Sequence, residues 1–193
     1  MASTLHHRAY RRDIEQLAVA VVDNRRPMRA MMRAMLAAIG VGRVEIYESP
    51  ANALSAMPQT APDVVIAAGA MQPFGGVELV RFMHRPDSEP LCFVPAMIMS
   101  AHAKPDLVAE ALQAGAHQVL LLPTSAGTLF RRLDWLMNDE RPFELIDDHY
   151  VVSGLEEQLA LSTPRPTCAP GAVMAAASAV PAAAPHAVKR RAG

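Results

Sequence analysis

Residues 17–40 have the sequence LAVAVVDNRRPMRAMMRAMLAAIG, and this stretch decides the fold class. Its first part, residues 17–22, is a continuous apolar run, as expected for a parallel strand that is covered on both faces. Pro27 then begins a helix whose apolar residues recur every three or four positions, and Gly40 ends it. A buried strand followed directly by an amphipathic helix is the repeating unit of α/β proteins.

The same unit recurs along the chain. We expect further strands at residues 44–47, 63–67, 93–99 and 119–122. Helices are expected after Ser49, at 77–83, at 106–114 and after Ser125. Five strands alternating with five helices predict parallel pairing and right-handed crossovers. The predicted fold class is therefore α/β: a doubly wound, five-stranded parallel sheet of the flavodoxin-like type, with strand order 2-1-3-4-5 and helices on both faces.

The domain organisation follows from where this pattern begins and ends. Residues 1–16 are polar and basic and form an N-terminal extension, and residues 17–137 hold the α/β domain. We expect residues 138–162 to be a partly ordered C-terminal extension with one short helix at 155–161. Residues 163–193 are rich in Ala and Pro, cannot bury enough apolar surface to offset their ordering entropy, and are predicted to be a disordered tail.

Composition excludes several classes of protein. The 193 residues carry a formal net charge of -1, so nucleic acid is not an expected main partner. No apolar run approaches the roughly 20 residues of a membrane span, and the basic N-terminus lacks a secretory h-region, so a cytoplasmic location is expected. Cys92 is predicted to be a reduced core residue and Cys168 an incidental one. The histidines lack metal-ligand spacing and are predicted to be ordinary surface or loop residues: His84, His102 and His117.

Functional residues of a doubly wound sheet lie outside the carboxyl ends of its strands. Here those positions are Asp23, residues 67–69, Ser100 and Leu122. No glycine occurs between Asp23 and Pro27, so a glycine-rich phosphate loop after the first strand is absent and a dinucleotide enzyme is disfavoured.

Several short segments occur in a characteristic order, and together they resemble the receiver domain of two-component response regulators over roughly residues 17–137. The segments are Val21-Val22-Asp23-Asn24, Pro62-Asp63-Val64-Val65-Ile66, Gly76-Val77-Glu78-Leu79, Met99-Ser100-Ala101-His102, Ala114-Gly115-Ala116 and Leu122-Pro123. The resemblance is to chemotaxis-regulator-like members and implies a signalling module. Because of the departures described next, we expect this chain to have no catalytic residue, no resident metal ion and no cofactor.

The departures from this family concern its phosphorylation pocket. The resemblance places the phosphoacceptor aspartate at Ala68, whose methyl group has neither a nucleophile nor a metal ligand. The lysine that pairs with the phosphoryl group is replaced by Leu122, the aromatic switch residue by Val119, and the second acidic residue of the Mg²⁺ pair by Asn24. Ser100 is retained. Because the acceptor and its lysine are both lost, the pattern indicates a degenerate pseudo-receiver rather than an isolated substitution.

Asp23 has two interpretations. It could bind Mg²⁺ weakly, since this ion usually takes more than one carboxylate. Alternatively it accepts hydrogen bonds from Ser100 or loop amides and caps the turn, which we favour.

The expected partner is a protein: a histidine kinase, another response regulator or an output protein. A basic strip on the first helix is a candidate docking surface, since related receivers use this helix against kinases: Arg25, Arg26, Arg29 and Arg33. A homodimer through residues 103–136, with Arg131, Arg132 and Asp134 at its surface, is a further candidate. Two alternatives stay open: a flavodoxin-like enzyme or nucleotide-binding domain, and an adaptor phosphorylated on Ser100.

Overall fold

The computed structural model describes residues 6–102 and 104–154. The helix predicted at 155–161, the tail predicted at 163–193 and Cys168 lie outside the described residues.

The described chain contains the five predicted strands and five predicted helices in the predicted order. They are β1 (Ala18–Val22), α1 (Arg26–Ala38), β2 (Arg43–Tyr47), α2 (Pro50–Thr60), β3 (Val64–Ala68), α3 (Gly76–Met83), β4 (Ala96–Ser100), α4 (Pro105–Gln113), β5 (Gln118–Leu121) and α5 (Ala126–Met137). The fourth strand begins later than predicted, because Leu91–Phe93 form a short 3-10 helix.

The five strands form one parallel sheet with the order β2-β1-β3-β4-β5, so the predicted doubly wound, flavodoxin-like fold is confirmed. β1 and β3 are buried at every residue, because they lie inside the sheet and are covered on both faces. β2 lies at an edge and is partly exposed.

Local sequence determines where the helices begin. Ser49 and Ser125 each accept a hydrogen bond from a backbone N–H three residues later, at 3.2 Å in both cases, and so cap α2 and α5 as predicted. Met32 and Leu36 are the fully buried residues of α1, which confirms its methionine-rich face as core. Cys92 is also buried, as predicted.

A β-hairpin follows α5, and the sequence analysis did not predict it. Its strands are β6 (Phe143–Ile146) and β7 (His149–Val152), paired antiparallel. Asp147 and Asp148 form the two-residue turn with φ of 45° and 66°. Positive φ at both central residues is the type I′ geometry that matches strand twist, and aspartate tolerates it.

The described part of the N-terminal extension packs against the amino ends of the strands. Arg8 N–H donates to Phe93 O at 3.0 Å, and Arg11 N–H donates to Met137 O at 2.9 Å. Asp63 is buried at the start of β3, where it accepts from Ala18 N–H at 2.9 Å and from the guanidinium of Arg8 at 3.3 Å. Residues 6–13 are therefore held by specific contacts.

The structure corrects part of the prediction for two histidines. His84 and His117 lie in connections outside the helices and strands, as predicted, but they are buried, with exposed fractions of 0% and 3%, whereas His102 is exposed. His84 lies under the hairpin, whose Tyr150 N–H donates to His84 O, and this cover was not predicted. Among the described residues, no helix is long and apolar enough to cross a membrane.

Candidate functional site at the carboxyl edge of the sheet

The parallel register brings the predicted site residues to one edge. Val22 pairs with Ala67 across β1 and β3, so Asp23 and Ala68 follow one position further on neighbouring strands. Ala68 pairs with Met99, and Ser100 pairs with Leu121 on β5. Leu122 follows and donates its N–H to Ser100 O at 2.8 Å. The edge predicted from sequence is therefore assembled by the fold.

Asp23 is fully buried, and its carboxylate is held by Arg25. Oδ1 accepts from the backbone N–H of Arg25 at 2.8 Å and from its Nε at 3.0 Å, while Oδ2 accepts from Nη2 at 2.8 Å. A planar guanidinium matches a carboxylate in this bidentate way. Both oxygens are thus occupied by a cation from the same chain.

The main chain around Asp23 is held as well. Arg29 donates from Nη1 to Asp23 O at 2.8 Å, and Asp23 N–H donates to Tyr47 O at 3.1 Å. Hydrogen bonding to Asp23 raises the pKa of Arg25 above its ordinary value. Of the two kinds of donor considered for Asp23, the structure has the loop amide, through Arg25 N–H. The Ser100 hydroxyl group bonds to His102 instead.

Ser100 is engaged with its own loop. Its Oγ donates to His102 O at 2.8 Å and accepts from His102 N–H at 3.2 Å. This is a local turn in which the hydroxyl group satisfies the main chain. Leu122, where the resemblance predicts a lysine, is half-buried and packs against the core, as does Val119. Leu122 also forms a cis peptide bond with Pro123.

Ala68 has an exposed fraction of 1% and lies under the loop that leads into α3. Gly76 N–H donates to Gly69 O at 3.2 Å, which folds this loop back over the strand end. A Cβ on Gly76 would come within 2.5 Å of Ala68 O, so this close approach requires glycine. Ala68, where the resemblance predicts the acceptor, is therefore packed closely by the backbone of this loop.

The residues present do not fit the divalent metal ion of the family. Asp23 gives both carboxylate oxygens to Arg25, and the neighbouring Asn24 is exposed. Across residues 6–102 and 104–154, no group of three His, Cys, Asp or Glu side chains is arranged to hold a metal ion. Mg²⁺ requires octahedral oxygen ligation, usually with free carboxylates, and this edge does not supply it.

The four arginines of the predicted docking strip fall into two groups in the structure. Arg25 and Arg29 turn toward Asp23 and hold the strand end, so they do not form a purely solvated docking surface. Arg26 and Arg33 are exposed on α1. Sequence reasoning missed this role of Arg25, although an aspartate two residues before an arginine at a helix start was a usable signal.

The candidate dimer region presents apolar side chains. Leu121 on β5 and Phe130 on α5 have exposed fractions of 47% and 41%. Two of the charged residues predicted there make contacts within the chain, since Arg132 donates to Gln118 Oε1 at 3.3 Å and Arg131 to Thr128 Oγ1 at 3.1 Å.

Comparison with known proteins agrees with this architecture. The model of the response regulator receiver domain family matches residues 19–134. Chemotaxis protein CheY-3 of Vibrio cholerae is 27% identical over 120 residues, which is 62% of this chain and 91% of that protein.

Solved structures of similar fold include Vibrio cholerae chemotaxis protein CheY4, with a TM-score of 0.59 and 24% identity, covering 63% of this chain and 98% of that one. Another is the receiver domain of sensor histidine kinase PA1611 from Pseudomonas aeruginosa PAO1, described with a magnesium ion in its active site cleft. It has a TM-score of 0.58 and 20% identity, covering 64% of this chain and 99% of that one.

The fold and the strand-edge site thus define a receiver-type α/β signalling module. The chain belongs to the response regulator receiver domain family of two-component signalling. Receiver domains are typically non-enzymatic, and they interact with proteins such as kinases and other regulators.

Proposed function

We propose that this protein is a receiver domain that is not phosphorylated and that binds a protein partner in a fixed conformation. The observation that carries the proposal is the pairing of a buried Ala68, at the acceptor position, with an Asp23 whose carboxylate is occupied by Arg25. The first lacks a nucleophile, and the second lacks oxygens for a metal ion. Each step of phosphoryl transfer in this family is therefore unsupported by the residues at the edge.

A receiver without a phosphoacceptor signals without a phosphorylation-driven change of conformation. Phosphorylation of a receiver shifts an equilibrium between two conformations. The size of this shift is set by how much more the phosphoryl group stabilises one conformation than the other. Without an acceptor, the bonds from Arg25 and Arg29 to Asp23 hold one arrangement of the strand end. The proposed partner then binds a single conformation that does not change with phosphorylation. This partner is a histidine kinase, another response regulator or an output protein.

The experiment uses intact mass after incubation with acetyl phosphate and Mg²⁺. We expect no gain, while a phosphorylatable receiver treated in parallel gains one phosphoryl group. Partner capture in the same buffers should be equal with and without acetyl phosphate. A stoichiometric phosphoryl gain on the folded chain would overturn the proposal.

Peptide mapping of any modified protein separates two outcomes. A phosphoryl group on Ser100 would support the adaptor alternative. The two bonds between the Ser100 hydroxyl group and the main chain of His102 argue against it, since the hydroxyl group already donates one bond and accepts another.

Docking and dimerisation are testable at the exposed positions. We propose Arg26 and Arg33 as the remaining arginines of the docking surface. Reversing both to Glu should weaken partner capture, whereas Leu121→Ser and Phe130→Ser should affect only a dimer. Light scattering measures the mass of the wild type and of the Leu121 and Phe130 variants, and so reports dimerisation. Partner capture reports docking, so the two measurements distinguish the two surfaces.

A further inference from the structure

The edge opposite the candidate site carries the two segments that lie outside the family match. Residues 6–13 and the hairpin 143–152 both pack at the amino ends of the strands, and we call them together the basal cap. Residues 6–13 bond to Phe93 and Met137 through backbone N–H groups. The hairpin bonds through Tyr150 N–H to His84 O at 2.8 Å and through the ring of His149 to Gln113 O at 2.8 Å.

A continuous row of rings joins the two parts of the basal cap to the domain. The centroid of His7 lies 5.4 Å from that of His117, His117 lies 5.3 Å from Phe143, and Phe143 lies 5.3 Å from His84. His7 belongs to the N-terminal segment and Phe143 to the hairpin. His117 precedes β5 and His84 ends α3. All three imidazoles are buried, with exposed fractions of 2%, 3% and 0% for His7, His117 and His84.

The hydrogen bonds place a hydrogen on one nitrogen of two of these rings. His7 Nε2 lies 3.1 Å from Asp139 O, and His84 Nε2 lies 3.0 Å from Val94 O. A carbonyl oxygen only accepts, so Nε2 is the donor in both rings, and in the neutral form Nδ1 carries no hydrogen. The Nδ1 atoms of His7, His84 and His117 are buried without a hydrogen-bond partner. A second proton on any of them would create a cation in a buried site, which is costly. Backbone groups of Tyr150 and Ala114 favour the charged form of His84, and that of Leu136 favours the charged form of His7, but burial is the larger effect on the pKa of both rings.

The charged groups around the row do not compensate for that cation. Burial lowers the pKa of all three histidines, that of His84 to about 4, and the rings of His7 and His84 lower the pKa of His117 further. Asp139 favours a charge on His7, but its carboxylate is already paired with Arg141 at 2.6 Å. The remaining groups that face the row oppose protonation: His6 toward His7, His149 toward His84 and Arg141 toward His117.

We propose that the basal cap is a proton-sensitive latch: uptake of protons by His7, His84 and His117 releases residues 6–13 and the hairpin 143–152 from the sheet while the sheet stays folded. Release brings the imidazoles to water, where they bind protons at their ordinary pKa near 6.5. The released form therefore binds more protons than the closed form as the pH falls below about 6.5, and the equilibrium moves toward it. None of the five strands contains a histidine, and β1, β3 and β4 are built from buried apolar residues apart from Ser100 at the β4 end.

The test is hydrogen exchange of the full chain between pH 7.5 and pH 5, with rates corrected for the intrinsic effect of pH. We expect backbone amides of 8–13 and 143–152 to lose protection at least about tenfold, and amides of β1 and β3 to keep theirs. Trp135, the single tryptophan of the chain, stacks on Arg141 at 5.2 Å beside the cap, so its fluorescence should change over the same pH range.

Variants separate histidine protonation from that of the carboxylates. His117→Phe keeps a ring in the row but takes no proton, and His84→Gln keeps a donor toward Val94 O. Each should move the midpoint of release to lower pH by at least about 0.5 unit. His102→Gln, at an exposed position, should titrate like the wild type.

Three outcomes would overturn the proposal. Cap amides could keep full protection to pH 5, the cap and β3 could lose protection together, or both row variants could titrate like the wild type. His84→Gln supplies the answer by itself if His117→Phe does not fold. None of these measurements involves phosphorylation, so they stand apart from the proposed function.

Discussion

The guanidinium of Arg25 covers both carboxylate oxygens of Asp23, with Nε–Oδ1 and Nη2–Oδ2 distances of 3.0 and 2.8 Å. The Asp23 side chain is fully buried, whereas that of Arg25 keeps 49% of its exposure. The pair therefore lies at the boundary between the core and solvent. It places a tethered cation at the position where the resemblance predicts the metal ion of the receiver family.

Replacing Arg25 by Ala should lower the free energy of unfolding by about 1–3 kcal/mol, since it leaves Asp23 buried without a counter-charge. The partial exposure of Arg25 keeps the value below that of a fully buried pair. Urea denaturation measures the change, and Arg26→Ala, at an exposed neighbouring position, should stay within about 0.5 kcal/mol of the wild type. Equal stabilities of the two variants would show that the pair contributes nothing.

Restoring an aspartate at position 68 should not be tolerated by itself. Ala68→Asp places a carboxylate at a site with 1% exposure, and Leu122 stands where the resemblance predicts a lysine, so we expect a loss of about 2–4 kcal/mol. The additional change Leu122→Lys should recover part of this loss, as the receiver family pairs these two positions. A double-mutant cycle in urea measures the coupling, with the exposed Ala101→Asp as control. Additive losses would contradict the pairing.

Substitutions of Gly115, which lies against the hairpin, and of Gly40, which lies in open space, allow a matched comparison of their effects on stability. Both have positive φ, 96° and 83°, but a Cβ on Gly115 would meet Tyr150 O at 2.6 Å as well as the ring of His84, while one on Gly40 meets nothing within 4 Å. Gly40→Ala should cost about 1 kcal/mol in strain. Gly115→Ala should cost clearly more, about 2–4 kcal/mol, and should weaken protection of β7 in hydrogen exchange. Similar losses of unfolding free energy for the two variants would show that the hairpin moves away from the added Cβ at little energetic cost.

The pH dependence of global stability follows from His84. Its pKa of about 4 lies below the ordinary value of 6.5, so the unfolded chain binds the proton first as the pH falls. The contribution is fully present above pH 6.5 and is lost between pH 6.5 and about 4. From pH 7.5 to 5 this single group should lower the unfolding free energy by up to about 2 kcal/mol. Urea titrations at both pH values measure it, and His84→Gln should show a smaller decrease than the wild type.

The fold was predictable because its signals are periodic. The apolar run before Asp23, the three- and four-residue spacing after Pro27 and the serine caps each specify one element, and the structure contains all of them. The edge that collects Asp23, Ala68, Ser100 and Leu122 then follows from parallel pairing alone.

Other features depend on contacts that periodicity does not describe. The hairpin was missed although Tyr150, Val151 and Val152 are typical strand residues after an Asp-Asp turn, because its partner strand shows no regular alternation. The burial of His84 and His117 results from that hairpin and from His7, which are distant in sequence. The pairing of Arg25 with Asp23 depends on side-chain direction at the start of α1.

The contacts of residues 6–13 and of the hairpin have a practical consequence for anyone preparing the domain. A fragment cut at the limits of the family match, residues 19 and 134, would end inside α5 and would lose His7, Phe143 and Tyr150. The buried imidazoles of His84 and His117 and the half-buried ring of Phe93 would then lose the side chains that cover them in the intact chain. An expressed fragment should therefore begin at or before residue 6 and extend past residue 153. A shorter fragment would expose apolar surface at the amino ends of the strands, and we expect it to aggregate.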